Sequence, residues 1–166
     1  DLCGIHLSNS HYQLASKLDY PIITPTIKLD HARDKNINLS EVSSKIGQDI
    51  TDYLCHVSLL LYNRCSEIAE KKGIIIADTK FEFVIDAKNQ IILADEIFTP
   101  DSSRFWDIAT YQVGQTPKSF DKQLIRDWLS HNKIENKYQY DKIPHEIIKK
   151  TESLYADCYK RLLIDM

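Results

Sequence analysis

Two acids and a lysine alternate along a segment that is otherwise apolar: Asp78, Lys80 and Glu82. Successive side chains of a β-strand point to opposite faces, so in a strand these three residues share one face. The phenylalanines between and after them would line the other face, which is an ordinary core face. Charge in a buried strand is costly unless it is paired, hydrogen-bonded or bound to a metal. The alternation therefore indicates either a functional charged face or a solvent-facing Lys–Glu ion pair, and spacing alone does not separate the two.

A third acid, Asp95, lies on the segment that would return beside the first one. With a four-residue loop Asp95 faces Glu82, and with a three-residue loop it faces Phe81, because a slip of one residue moves every side chain to the other face. We favour the four-residue loop, which brings two carboxylates together. Two such carboxylates repel unless a proton or a cation lies between them. Mg²⁺ is usually held by one or two carboxylates with waters and phosphates, so this pair suits a Mg²⁺ site, with a surface face carrying a Lys80–Glu82 ion pair as the equal alternative.

A long amphipathic helix over 38–72 is expected to pack one face against this sheet. Asn38 with Glu41 three residues later has the pattern of a capping box. Apolar residues then recur at steps of three and four, and Gly73 supplies a stop signal.

The segment after the sheet, Thr99 to Trp106, is predicted to be either a short helix capped by Thr99 or a loop. Hydroxyls and backbone N–H groups at Ser102 and Ser103, beside Arg104, suit an anionic oxygen. A plain turn is at least as common for such a segment.

A capped helix over 119–129 carries Lys122 and Arg126 on one face. Like charges four residues apart are destabilising, and Lys122 in the first turn opposes the helix dipole. A bound anion would relieve both effects, and Asp121 and Asp127 could also do so. A final amphipathic helix is expected from Pro144 onward.

Length and composition favour one domain, with a linker-like polar stretch before the last helix. The chain has 166 residues and a formal net charge of −3, which is not the basic balance of a general nucleic-acid binder. No apolar run approaches the ~20 residues that a membrane span needs. The four cysteines have no C-x-x-C spacing, which favours reduced thiols in the cytosol. The chain opens on Asp1 in what reads as the middle of a strand, so we expect it to be part of a longer polypeptide.

Seven segments carry a more specific signal. In chain order they are Pro21–Lys28, Asp34–Ile37, Gly73–Phe83, Leu93–Glu96, Thr99–Trp106, Ser119–Gln123 and Arg126–Leu129. Together they resemble the SAICAR synthetase family, the phosphoribosylaminoimidazole-succinocarboxamide synthases. Two positions depart from the family's usual pattern: Val84 stands where glycine is usual, and Lys35 where an acid is usual.

The resemblance implies a ligase of de novo purine biosynthesis in the cytoplasm, with ATP and Mg²⁺ as cofactors. Its substrates would be L-aspartate and carboxyaminoimidazole ribonucleotide, joined through an acyl phosphate, with no nucleic acid or membrane as partner. Association of identical chains is left open. The resemblance also implies a missing N-terminal ATP-binding lobe before Asp1, so this segment alone is expected to be inactive.

The resemblance assigns roles to particular residues. Glu82 and Asp95 would hold Mg²⁺ against the ATP phosphates, and Asp78, Lys80 and Arg104 would act at the reacting carboxylate. The remaining substrate-binding positions would be Asp34, Asn36, Asp101, Ser102, Lys122 and Arg126.

The expected fold class is α+β: an antiparallel β-sheet containing residues 74–98, packed against the long helix, with two further C-terminal helices. Within a single domain over 1–166, we expect a strand and substrate loop in 1–37, a helix–sheet core in 38–132 and a C-terminal helix in 133–166. Two rival functions stay open from the residues: a small-molecule kinase with a similar acid-and-lysine sheet, and a non-catalytic assembly module.

Overall fold

The computed structural model describes residues 3–7, 11–28, 34–134 and 137–164, with the backbone alone at 137–139. These residues divide into two compact units, 1–63 and 64–166. The helices are α1 (Leu39–Ile46), α2 (Gln48–Lys71), α3 (Gln123–His131) and α4 (His145–Tyr159). The strands are β1 (Thr26–Ile27), β2 (Lys35–Asn36), β3 (Ile74–Thr79), β4 (Glu82–Ile85), β5 (Ile91–Ala94) and β6 (Ser103–Asp107). The mixture of helices and small antiparallel sheets confirms the α+β class.

The helix predicted over 38–72 is two helices in the structure. The capping box is confirmed, because the Asn38 side chain accepts from the Glu41 N–H at 2.8 Å and the Glu41 carboxylate accepts from the Asn38 N–H at 2.9 Å. Helix α1 ends at Gly47, whose φ of 86° is favourable for glycine and interrupts the helical backbone. Helix α2 then runs to Lys71 and ends before Gly73, as predicted.

The single sheet expected over 74–98 is replaced by separate two-stranded antiparallel sheets. The extended segment is broken at Lys80 and Phe81, so β3 and β4 belong to different sheets. Strand β3 pairs with β6, and β4 pairs with β5. Strand β6 occupies the segment that was predicted to be a short helix or a loop; only 99–102 forms a turn there.

The β4–β5 hairpin has the three-residue loop, so the register that we favoured is wrong. Asp86 and Gln90 close the loop through an N–H···O bond of 3.0 Å, and the Asp86 carboxylate accepts from the Gln90 N–H at 2.7 Å. Asn89 adopts a φ of 62°, a conformation that asparagine tolerates better than most residues. Glu82 is consequently paired with Ala94, not with Asp95.

The core of the second unit lies where β3 and β6 meet the C-terminal helices. Strand β6 alternates strictly, with Ser103, Phe105 and Asp107 buried and the residues between them more exposed. Other side chains that are almost fully buried include Ile74, Phe120, Asp121 and Cys158. The inward face of β6 therefore fixes which of its side chains, Arg104 and Trp106, face outward.

Helix α3 begins later than the sequence predicted. Residues 118–120 run beside β6 instead of starting a helix: the Phe120 N–H donates to the Phe105 carbonyl at 2.8 Å, and the Asp107 N–H donates to the Lys118 carbonyl at 2.9 Å. Helix α4 starts immediately after Pro144, as expected, and continues into a π-helical turn over Lys160–Ile164. Within the described ranges, none of the helices is both long and apolar enough to cross a bilayer.

Candidate functional site

Asp78 and Arg104 form an ion pair across β3 and β6. They are cross-strand partners next to a register shift between Ile76 and Asp78, and Arg104 Nη2 lies 2.9 Å from Asp78 Oδ2. The two side chains are 52% and 50% exposed, so the pair lies on an open surface. The structure thus brings together two of the three residues predicted to act at the reacting carboxylate.

The third of these residues, Lys80, pairs with Glu82. Residues two apart in an extended chain share a face, so this contact is the one that the alternation of charges predicts. The Lys80 N–H donates to the Ser102 carbonyl at 3.0 Å, which ties this point of the chain to the turn before β6. We call Asp78, Lys80, Glu82 and Arg104 the charged strip.

The aromatic side of the same segment forms a ring cluster, but the core face predicted there is wrong, because Phe81 and Phe83 are only half-buried and Ile85 is 52% exposed. The rings of Phe81 and Phe83 lie 6.3 Å apart, and Phe98 packs edge-on against Phe81 at 5.4 Å. This cluster fixes the segment that joins the two small sheets, and so it holds Lys80 and Glu82 in place.

The predicted Mg²⁺ site cannot rest on direct pairing of its two carboxylates. Asp95 follows β5 with a φ of 65°, outside the regular strand, next to the residue that does pair with Glu82. Among the described residues, no group of three or more His, Cys, Asp or Glu side chains has the arrangement of a metal site. Two carboxylates are nevertheless the oxygen donors that suit Mg²⁺ when phosphates and waters complete the shell, so the site stays a prediction.

The turn over 99–102 is held by its own hydroxyls. Thr99 Oγ1 accepts from the N–H groups of Asp101 and Ser102 at 3.3 and 3.1 Å, and the Ser103 N–H donates to the Thr99 carbonyl at 3.0 Å. The backbone N–H groups of Ser102 and Ser103 are thus engaged within the turn and do not point to a ligand. The buried Ser103 hydroxyl donates to Thr79 at 2.8 Å, which secures the end of the β3–β6 pair.

A second group of charges lies between this turn and α3. Lys122 Nζ lies 2.6 Å from Asp101 Oδ1, and Arg126 is one helical turn further along. The hydrogen bond from Lys122 is the largest cause that holds the pKa of Asp101 below its usual value. Burial opposes this effect, while a hydrogen bond with Glu96 and the charge of Arg126 add to it.

No role was predicted from the sequence for two further residues of this group, Glu96 and Tyr155. Glu96 accepts from the Thr99 hydroxyl at 2.6 Å and contributes to the electrostatics of Asp101. Tyr155 on α4 has a raised pKa, first because of burial and then because of Asp101, Asp121 and Glu96, with Arg126 opposing. Glu96 is the last residue of the family-like segment Leu93–Glu96, although no role was predicted for it. Tyr155 has no local signal, since α4 reaches this turn through the tertiary fold.

The remaining predicted substrate residues lie in the first unit. Asn36 belongs to β2 and pairs with Thr26 of β1, and Asp34 immediately precedes β2. Both are exposed. Their predicted role in the substrate loop stays a prediction, and part of that loop, at 29–33, lies outside the described residues.

Fold and surface define an α+β protein with two open groups of paired acids and cations, the charged strip and the cluster around Asp101. The sequence matches the SAICAR synthetase family over residues 5–143. The chain belongs to that family.

Individual relatives agree with this assignment. The chain is 45% identical over 144 residues to the phosphoribosylaminoimidazole-succinocarboxamide synthase of Saccharomyces cerevisiae, covering 86% of this chain and 47% of the relative. It is 42% identical to the synthase of Bordetella petrii, covering 98% of this chain and 55% of that protein. The chain therefore spans about half the length of the curated relatives it matches.

Solved structures give the same result for the fold. A SAICAR synthase from Saccharomyces cerevisiae, complexed with SAICAR, matches with a TM-score of 0.78 and 41% identity, covering 93% of this chain and 50% of that one. A SAICAR synthetase in complex with ADP matches with a TM-score of 0.65 and 28% identity, covering 89% of this chain and 52% of that one.

Proposed function

We propose that this chain is part of an ATP-dependent ligase that joins L-aspartate to the carboxylate of carboxyaminoimidazole ribonucleotide in purine biosynthesis. The observation that carries the proposal is family membership over residues 5–143, a range that contains every predicted site residue. The relatives are named phosphoribosylaminoimidazole-succinocarboxamide synthases, and two related structures are described as complexes with SAICAR and with ADP.

The chemistry explains why such a site needs both acids and cations. A carboxylate is a poor electrophile, so the γ-phosphoryl group of ATP is first transferred to one of its oxygens, giving ADP and an acyl phosphate. The aspartate amine then attacks the acyl carbon, the C–O bond to phosphate breaks, and the amine proton is lost as the amide forms. Positioning and neutralisation of charge are the main contributions that a protein makes to such transfers.

The charged strip is suited to the first of these steps. Lys80 and Arg104 would bind the reacting carboxylate and offset the charge that accumulates around the transferred phosphoryl group, and Asp78 would orient Arg104 through their ion pair. Glu82 and Asp95 would hold a Mg²⁺ ion, which when bound neutralises the triphosphate.

The cluster around Asp101 is suited to binding the rest of the substrates. Lys122 and Arg126 would bind a phosphate or the carboxylates of aspartate, with Asp101 and Ser102 lining the same region. Asp34 and Asn36 would contribute from the substrate loop.

The openness of the charged strip supports a site that is completed by further protein. Asp78, Lys80 and Arg104 are each about half exposed. Catalysis of phosphoryl transfer usually requires a site from which water is excluded. We therefore propose that this chain is the C-terminal part of a longer ligase, in agreement with its coverage of about half of its relatives.

The test is aspartate-dependent release of ADP by the full-length enzyme that contains this chain. With ATP, Mg²⁺ and carboxyaminoimidazole ribonucleotide present, ADP should form in amounts equal to the amide product, and omission of aspartate should abolish net turnover. Sustained ADP formation without aspartate would instead identify a kinase. Calorimetric titration of the same full-length protein with Mg-ATP and with carboxyaminoimidazole ribonucleotide provides the binding control. Absence of heat from both ligands would favour a non-catalytic assembly module.

A further inference from the structure

Asp121 is an almost fully buried acid that no predicted role uses. It is 1% exposed, and its carboxylate accepts three hydrogen bonds. Oδ2 accepts from the Phe105 N–H at 3.1 Å and from the Ser119 hydroxyl. Oδ1 accepts from the Gln123 N–H at 2.7 Å. Both oxygens are therefore engaged by fixed donors.

These donors belong to two different elements. Phe105 lies in the middle of β6, and Gln123 is the first residue of α3. Asp121 thus connects the strand that carries Arg104 to the helix that carries Arg126. The adjacent residue, Lys122, is the N-cap residue of α3, but its side chain makes no capping hydrogen bond. Its Nζ instead lies 2.6 Å from Asp101 Oδ1.

We propose that Asp121 is the positioning residue of the cluster around Asp101: by anchoring the first turn of α3 to β6, it holds Lys122 and Arg126 in reach of substrate. The carboxylate suits this position because each oxygen meets a separate set of donors. An asparagine would offer one oxygen and one NH₂ group, and the NH₂ group would face an N–H donor. Because the site is almost closed to solvent, no water would replace the carboxylate oxygen that the substitution removes.

The first experiment measures the position of Lys122 directly and needs no catalytic activity. In this chain, carbon-13 labelled aspartate reports the pKa of Asp101 by NMR titration, with Asp101→Asn to assign the signal. Asp121→Asn should raise the pKa of Asp101 toward its usual value, because Lys122 no longer lies at hydrogen-bonding distance. Lys122→Met supplies the upper limit of this shift.

The matched control is Asp127→Asn. Asp127 lies on α3 and is exposed. Its carboxylate accepts a hydrogen bond from the Gln123 side chain at 2.7 Å. Removal of a nearby negative charge by itself lowers the pKa of a carboxyl group, which is opposite in sign to the positional effect. An unchanged or lowered pKa of Asp101 in a folded Asp121→Asn variant would overturn the inference.

A milder variant covers the case in which Asp121→Asn does not fold. Ser119→Ala removes one of the three donors to Asp121 and leaves the carboxylate in place. It should raise the pKa of Asp101 in the same direction by a smaller amount. No change in a folded Ser119→Ala variant, combined with an unfolded Asp121→Asn variant, would show that Asp121 serves stability alone.

The part of the inference that concerns substrate rests on the proposed function and has its own test. In the full-length enzyme, Asp121→Asn should raise the KM of the substrate held by Lys122 and Arg126 by roughly tenfold or more, the loss expected for one charge-assisted hydrogen bond, with a smaller change in kcat. Asp127→Asn should leave both constants nearly unchanged. If the ligase reaction itself is absent, the NMR titration still decides the role of Asp121.

Discussion

Arg104 and Asp78 are direct cross-strand partners, and their charged atoms lie 2.9 Å apart on the outward face of β3 and β6. The pairing depends on the register shift between Ile76 and Asp78, which places Ala77 between two paired positions. Bulges of this kind re-aim side chains and occur frequently beside active sites. The pair therefore follows from a local irregularity of the strand and from its alignment with β6.

Asp78→Asn should reduce activity far more than stability. An exposed ion pair contributes about 0–1 kcal/mol to folding, so the free energy of unfolding should change by less than about 1 kcal/mol. In the full-length enzyme, loss of the orienting carboxylate should lower kcat by about a hundredfold or more. Steady-state kinetics and urea unfolding measure the two effects. Glu67→Gln, which removes the exposed partner of Arg64, is the control and should leave both unchanged.

Glu82→Gln should abolish Mg²⁺-dependent activity of the full-length enzyme while the fold stays nearly unchanged. The amide keeps the size of the side chain but loses the charge that would bind the metal ion. Activity titrated against Mg²⁺ concentration and circular dichroism measure these outcomes. Glu70→Gln, an exposed acid near the end of α2, serves as the matched control. Normal turnover by Glu82→Gln at ordinary Mg²⁺ concentrations would remove Glu82 from the metal site.

Asp107→Ala should destabilise the chain by about 2–4 kcal/mol, because it removes a buried carboxylate that caps the following turn and leaves the half-buried Arg161 without its partner. Asp107 is 3% exposed, accepts from the Ala109 N–H at 3.1 Å and pairs with Arg161 at 3.3 Å. Arg161 also stacks on the Phe120 ring at 4.7 Å. Denaturant unfolding measures the loss. The exposed Asp157→Ala should change stability by less than about 0.5 kcal/mol, and an equal effect of the two variants would contradict this account.

The Asp101–Lys122 pair should stabilise the fold only where Asp101 is ionised. Because the pKa of Asp101 is lower in the folded state than in the unfolded chain, its contribution is present above the unfolded pKa and is lost as the pH falls through the folded pKa. The stability difference between the wild type and Asp101→Asn should therefore shrink as the pH is lowered below the ordinary aspartate pKa of about 3.9. Urea unfolding at several pH values provides the measurement. A difference that grows on acidification would show that the sign is wrong.

Cys158 should be the slower of the two thiols in unit 64–166, Cys65 and Cys158, to react with a disulfide reagent. Burial raises its pKa to about 11, and its side chain is 1% exposed. Only about one thousandth of the thiol is ionised at pH 8, and the thiolate is the nucleophile. Cys65, which is half-buried and lines an apolar cavity of about 210 Å³, should react first. A stopped-flow measurement on a variant with Cys3, Cys55 and Cys65 all replaced by serine isolates Cys158, and fast reaction there without unfolding would contradict its burial.

Local signals in the sequence predicted local structure well. The capping box at Asn38 and the start of α4 after Pro144 depend on residues within one helical turn, so they can be recognised from spacing. The helix break at Gly47 also had a sequence signal, the glycine itself, but the apolar periodicity continues on both sides of it. A single glycine in a helical pattern is often tolerated, so only its φ in the structure shows that the helix ends there.

Turn conformation and non-local pairing decided what the sequence did not predict. The register of the β4–β5 hairpin is set by the Asp86 side chain and by the left-handed conformation of Asn89, and preference for a carboxylate pair led to the wrong register. The partner of β3 is β6, about 30 residues further along the chain, and no periodicity indicates that distance. The same applies to Asp121 and Tyr155, whose environments arise from elements that are far apart in sequence.

Transfer of oxygen-18 from substrate to phosphate tests the central claim most directly. The full-length enzyme is supplied with ATP, Mg²⁺, L-aspartate and carboxyaminoimidazole ribonucleotide labelled with oxygen-18 in its carboxylate, and the released phosphate is analysed by mass spectrometry. Activation of that carboxylate by the charged strip predicts that one labelled oxygen appears in each phosphate from fully labelled substrate, and that Glu82→Gln releases almost none. Product formation with unlabelled phosphate would contradict the acyl phosphate and the role given to these residues.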